Sequence, residues 1–404
     1  MNKSFWLKFS VFNFFLVALL GVIMRYKIAY SLPFVEQKFM QHAHSHFAFY
    51  GWISNAIYVL AVIYLGKVKE TVNLTKYRNL ILANVVASFG MLFTFSYGGY
   101  FWMSTGFSTI AIVTGFIFAW TFWRDSKGIR DASIPWFLGG LFFMVISSFG
   151  VFHLGYMGAT KTMTQNMFLA SEYYYLHFQY NGFFIFSCIG FLLYSMKEVG
   201  SPISDRENKI LFWLMFVGCL IGYGLSVLWL KMPVYIFVLI VIATIGQTIG
   251  AVMLYLFVKR NWTNLVLKWS PMHRFVLIYS GFAFAAKIAL QLGSNIPAVS
   301  QFAFGFRNVV IAYLHLVLLM CIATFLINQI LATNLFNITK SLLMGLKLLL
   351  LGIFLNEAML GIMGVFSITY MAIPYASQTL LVISLLMLVS LLVIFVSLKT
   401  RKEP

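Results

Sequence analysis

The chain has 404 residues, of which 61% are hydrophobic and only 9% are charged. Soluble domains carry about 25% charged residues, so this composition excludes a soluble globular protein and indicates one solvated by a lipid bilayer. The formal net charge of +18 would suit a nucleic-acid partner in a soluble protein, but Lys and Arg also accumulate in the cytoplasmic loops of membrane proteins. We therefore expect contact with lipid and none with nucleic acid.

Apolar runs of about 20 residues, the length that crosses a bilayer, follow one another along almost the whole chain. Twelve are predicted, at residues 5–29, 40–66, 78–98, 101–123, 133–157, 168–196, 209–230, 233–258, 272–293, 305–331, 340–364 and 373–398. All loops between them are short. The sequence therefore predicts an all-α, polytopic membrane protein with a single transmembrane domain over residues 1–404.

The distribution of basic residues predicts how the spans are oriented. If the N-terminus lies inside, 20 Lys and Arg residues fall in the inside loops and ends, against 6 on the outside. Basic loops are retained on the cytoplasmic side. We therefore predict that both termini are cytoplasmic and that the protein is a multi-pass protein of the cell (inner) membrane.

Histidines follow a period along the spans, and on this topology they gather on the outer side. His42, His44 and His46 open the second span, His177 lies in the sixth and His315 in the tenth. Ionisable side chains inside a bilayer usually mark function, and imidazole is a common metal ligand. Because the three spans are four apart, the period predicts a pseudo-threefold arrangement of four-helix units.

Local sequence supports this repeat. Residues 46–52 and 177–183 both read His-Phe-x-aromatic-x-Gly-aromatic. On a helix, His42 and His46 lie about one turn apart on one face, while His44 is rotated by about 200°. The three side chains therefore do not share one ion, and the choice between His42 and His46 as the ligand stays open, with His44 expected at the surface or an interface.

Three segments of the chain are similar to segments of the heme–copper oxidase superfamily, which comprises subunit I of terminal oxidases and the related nitric oxide reductases. Residues 177–182, His-Phe-Gln-Tyr-Asn-Gly, resemble the sixth-helix segment His-Leu-Trp-Val-Glu-Gly of the reductases, with Asn181 in place of the glutamate. Residues 313–316, Tyr-Leu-His-Leu, resemble the tenth-helix segment His-x-His-Leu, with Tyr313 in place of the high-spin heme ligand. In the second span, the distance from His42 to Gly51 fits a family spacing.

The resemblance implies a divergent member of that family. A low-spin heme, b-type, would be held by His42 or His46 and by His315, with Arg307 placed to pair with a heme propionate. His177 would line a second, altered metal site. The predicted seventh span, 209–230, contains no histidine, so a complete copper site is not expected.

The resemblance also implies the function and the partners. The function would be electron transfer, or binding or reduction of a diatomic gas such as O2 or NO. An electron-donor protein or a partner subunit would assist it.

Two other functions fit the same residues. A transporter or metal permease would capture an ion with the outer histidines, and a non-catalytic gas sensor or assembly factor would keep the fold without the chemistry. Glu357 in the eleventh span and Lys287 in the ninth are candidates for a proton relay or for interior charge partners.

Overall fold

The computed structural model describes residues 1–300, 306–368 and 371–401. Within them, twelve helices are long and apolar enough to cross a membrane, and no β-strand is formed. We label them α1 to α12: Lys3–Ala29, Gln37–Val68, Leu74–Gly98, Trp102–Ser126, Ile134–Thr160, Gln165–Glu198, Asp205–Val227, Val234–Arg260, Pro271–Gly293, Arg307–Ala332, Lys340–Ser367 and Ala376–Ser397. The predicted all-α, polytopic fold is confirmed.

Several helices begin a few residues before the apolar run that predicts them, because polar residues cap and form their first turn. α7 begins at Asp205, four residues before its predicted start. The Ser204 hydroxyl accepts a hydrogen bond from the Glu207 backbone N–H at 3.3 Å and donates one to the Glu207 carboxylate at 3.0 Å. This reciprocal cap satisfies donors that a helix end leaves unpaired.

The turn between α3 and α4 needs a glycine. α3 ends at Gly98, and Gly99 has a φ of +63°, a backbone conformation that residues other than glycine rarely adopt. A Cβ atom at Gly99 would also collide with the ring of Phe39. This tight turn holds Tyr100 beside the first turns of α2.

The contacts divide the chain into two compact units. Unit 1 comprises residues 1–125 and 323–404, and unit 2 comprises residues 126–322, so the boundary falls within α10. In unit 1, α12 packs against both α1 and α11, and α2 packs against α1 and α3. In unit 2, α5 packs against α6, and α8 packs against α7 and α9. The single domain, the threefold grouping and the cytoplasmic termini stay predictions.

Candidate functional site

The three helices of the histidine period, α2, α6 and α10, each change their backbone form at a histidine. His46, His177 and His315 each end an ordinary α-helical segment, and the next residue starts a π-helical one. These π segments are Phe47–Ser54 in α2, Phe178–Phe184 in α6 and Leu316–Ala323 in α10. π-helical turns are rare overall, but those that do occur are often found at functional sites. The three helices that the histidine period singled out therefore share one local structure.

Neighbouring asparagines stabilise the π segment of α2. A π-helical turn disturbs the regular hydrogen-bond ladder and leaves carbonyl oxygens for other donors. The Asn13 amide of α1 donates to the Gly51 carbonyl at 2.6 Å, and the Asn84 amide of α3 donates to the Tyr50 carbonyl at 3.0 Å. Both asparagine side chains are fully buried. Their amides supply the two carbonyls with hydrogen bonds that neither water nor lipid could provide inside a bilayer.

Burial along the three helices also changes at the histidines. Before them, only Ala43 is buried in α2, only Ser171 in α6, and no residue in α10. After them, burial is almost continuous, as in 177–193 of α6. Each of these histidines therefore lies at the boundary between a partly accessible stretch of its helix and a closely packed one.

The three histidines of α2 have different surroundings. The Nε2 atom of His46 is 2.9 Å from the Tyr100 hydroxyl, and its ring stacks on Phe95 with the centroids 4.4 Å apart. The ring of His42 lies against Tyr100 at 4.7 Å, which confirms that His42 and His46 share a face. His44 instead reaches α1 through its Nδ1 atom, 3.1 Å from the Val17 carbonyl oxygen.

His44 and His315 have the same hydrogen-bonded form. A carbonyl oxygen only accepts, so Nδ1–H of His44 donates to Val17, and Nδ1–H of His315 donates to the Ile311 carbonyl at 2.8 Å. In each neutral imidazole the lone pair for a metal is then on Nε2. Metal-bound histidines characteristically donate their other ring N–H in this way.

His177 is held differently, because protein groups occupy both of its ring nitrogens. Nε2–H donates to the Cys219 carbonyl at 2.8 Å, and Nδ1 accepts from the Asn181 amide at 3.1 Å. The Ser226 hydroxyl lies 3.5 Å from Nδ1, and the ring is buried. As it stands, this arrangement is that of a satisfied structural histidine and offers no lone pair to a metal.

The remaining predicted residues are dispersed. Glu357 in α11 accepts a bond from the Asn356 amide at 3.1 Å and interacts electrostatically with Arg25 of α1. Arg307 is the first residue of α10 and is exposed. Lys287 in α9 is fully buried, and it belongs to unit 2, whereas Glu357 belongs to unit 1. Each unit thus contains its own interior charge.

No cluster of three or more His, Cys, Asp or Glu side chains is arranged to hold a metal ion among residues 1–300, 306–368 and 371–401. A heme iron needs only two protein ligands, so this finding bears on the second metal site rather than on a heme. The sequence matches no model of a known protein family, and no curated protein matches it either.

Proposed function

We propose that this protein is a heme-binding membrane protein of the heme–copper oxidase type that transfers electrons through a low-spin, b-type heme. The observation that carries the proposal is the matched form of His44 and His315, whose Nδ1–H groups both donate to backbone carbonyls. Both side chains thereby present Nε2 as the basic nitrogen, which is the atom that binds iron in a bis-histidine heme. His315 is the ligand that the resemblance implies.

Hydrogen bonding ranks the candidates of α2. Nε2 of His46 is engaged with Tyr100, so ligation through that atom would first break this bond. The ring of His42 makes no hydrogen bond among the residues that the structure describes and contacts the rings of Phe95 and Tyr100. His44 lies on a different face of α2 from His42 and His46. Its Nδ1–H is fixed by the Val17 carbonyl, as is typical of a metal-bound histidine. We therefore place His44 first, with His42 and His46 as the alternatives.

The other residues support the same role. The heme would supply reversible one-electron chemistry, and its potential would be set by its axial ligands and by the apolar surroundings. Arg307, at the predicted outer end of α10, has the guanidinium that pairs well with a propionate carboxylate. An electron-donor protein or partner subunit on the outer side of the cell membrane would deliver the electron.

Gas reduction would need a second metal, and the structure gives this little support. His177 has both ring nitrogens occupied, and α7 contributes no histidine. These observations favour, as the second candidate function, a non-catalytic gas sensor or assembly factor that binds heme on the same fold. We do not include copper in the proposal.

An optical spectrum of the purified protein tests the proposal. The chain is expressed with ample heme, and spectra are recorded oxidised and reduced, with iron and copper quantified. We expect about one heme per chain with sharp reduced bands, and loss of these bands in His315→Ala. His153→Ala is the matched control, because His153 is an exposed histidine of α5 that bonds only to Ser171. A protein without a Soret band overturns the proposal.

A further inference from the structure

The most unusual charge in unit 2 is the ammonium group of Lys287. Its side chain is 0% exposed, and its Nζ atom has no hydrogen-bond partner among the described residues. The ring of Phe284, one turn earlier in α9, lies 5.8 Å away and is its one cation–π contact given by the structure. A charged ammonium group that is buried without a partner is strongly disfavoured, because burial removes its hydration.

The groups around Lys287 carry no negative charge. Its electrostatic neighbours are His177, Cys219 and Cys321. His177 is neutral, because one ring nitrogen donates and the other accepts a hydrogen bond. Thiols in buried apolar surroundings are also neutral. None of these three neighbours therefore balances the ammonium.

The acidic residues of unit 2 are all placed elsewhere. Four lie at helix ends predicted to be cytoplasmic, where Asp131 pairs with Lys197 and Glu207 pairs with Arg260. The fifth, Glu172, is exposed near the start of α6. The acids of this unit are Asp131, Glu172, Glu198, Asp205 and Glu207. None of the acidic residues of unit 2 therefore supplies a counter-charge for Lys287.

Two further polar atoms nearby lack partners. The Oε1 atom of Gln291 is buried and unpaired, and Gln291 follows Lys287 by four residues, so both side chains lie on one face of α9. The Oδ1 atom of Asn181, whose amide nitrogen holds His177, is also buried and unpaired. A carboxamide presents either an acceptor or, after a half turn, an N–H donor.

We propose that Lys287 is the charged anchor of a buried site for a small monovalent anion, such as nitrate, nitrite or a halide. One ammonium without another cation beside it matches a single negative charge. The Gln291 carboxamide supplies a second hydrogen-bonding group on the same face. Lys287 and Gln291 are both buried, which restricts the ligand to a few atoms, and the site does not depend on the presence of heme.

Thermal unfolding of the purified full chain in detergent tests this site. Sodium nitrate is compared with sodium gluconate at equal ionic strength, because gluconate is too large for a site enclosed by buried side chains. A ligand that binds only the folded state raises the Tm, and we expect a rise of about 5 °C in nitrate for the wild type. The rise should be absent in Lys287→Met.

Lys347→Met is the matched control, because Lys347 is an exposed lysine inside another membrane helix, α11; it should keep the full rise. In gluconate, Lys287→Met should be at least as stable as the wild type, since the unpaired charge is gone. Equal wild-type Tm values in the two salts, or a rise retained by Lys287→Met, overturn the proposal. The wild-type comparison stands alone if the variant fails to fold, and Lys287→Gln serves as a second variant.

The same measurement on heme-loaded protein distinguishes a free anion from a propionate of the cofactor. A rise of equal size with and without heme supports the free-anion site. A rise that occurs only in the heme-free protein assigns the counter-charge to the cofactor and overturns the site as proposed. If the protein binds no heme at all, the nitrate result still decides this inference independently of the proposed function.

Discussion

The histidine segments of α2 in unit 1 and α6 in unit 2 share one sequence pattern and one π-helical form, yet His44 and His177 are opposite tautomers. In α2, His44 donates its Nδ1–H to the Val17 carbonyl, so Nε2 is its basic nitrogen. In α6, His177 spends both nitrogens on Cys219 and Asn181. A repeated backbone therefore does not imply a repeated function, because the surrounding helices decide whether a histidine can accept a ligand.

The largest effect should come from exchanging the histidines of α2 one at a time. We expect His44→Ala to lose the reduced heme bands as completely as His315→Ala, because each would remove a proposed ligand of the heme iron. His42→Ala and His46→Ala should retain them. Tyr100→Phe, which removes the partner of His46, should also leave the optical spectrum unchanged. Loss of the bands in His46→Ala with retention in His44→Ala would instead support the ligand favoured by the internal repeat.

The second comparison concerns His177, where we expect an effect on stability and none on heme. His177→Ala removes a buried ring and two hydrogen bonds, which should lower the free energy of unfolding by about 2–4 kcal/mol. SDS titration in mixed micelles measures this loss. His153→Ala, at an exposed histidine of the same unit, should change stability by less than about 1 kcal/mol. If His177→Ala removed a stoichiometric metal, the structural role assigned to His177 would be wrong.

A smaller loss of stability is expected where the Asn84 side chain bonds to the π segment of α2. Asn84→Ala leaves the Tyr50 carbonyl without its donor in a buried position, and we expect a cost of about 1–3 kcal/mol in the same titration. Asn79→Ala is the control, because Asn79 is exposed on the same helix, α3. Equal stability of the two variants would show that the π segment does not need this donor.

The smallest effect should come from an exposed ion pair of unit 2. Arg260 and Glu207 lie 3.0 Å apart, with their side chains 59% and 39% exposed. Glu207→Gln keeps the capping geometry and removes the charge, so the unfolding free energy should change by no more than about 0.5 kcal/mol. The better buried Asp125 of unit 1, held by Lys76 and Tyr77, should lose more when changed to Asn. The reverse order would contradict this ranking by burial.

Much of the fold could be predicted because the bilayer imposes a simple rule on sequence. Spans must be apolar over about 20 residues, so the twelve helices were predicted within a few residues of their ends. The misplaced ends lie where polar residues extend a helix, as at Ser204 before α7. The common face of His42 and His46 also followed from helical geometry, and both contact Tyr100.

The state of each candidate side chain could not be predicted in the same way. The hydrogen bond of His44 could not be predicted, because its partner is the backbone carbonyl of Val17 in another helix, and a backbone acceptor leaves no mark in the sequence. The π segments were also missed, since the shared pattern gave their positions without their backbone form. The occupied nitrogens of His177 depend on Cys219, which lies 42 residues away along the chain.

By itself, the sequence determined the solvent of this protein, the number of its membrane helices and the three helices, four apart, on which the histidine period falls, because hydrophobicity and period are properties of the chain alone. Tertiary structure decided which ring nitrogen of each imidazole carries the proton, which carbonyls accept from the buried asparagines, and that the Lys287 Nζ atom has no hydrogen-bond partner among the described residues. Those outcomes depend on which helices pack together. Side chains distant in sequence become hydrogen-bond partners only after packing.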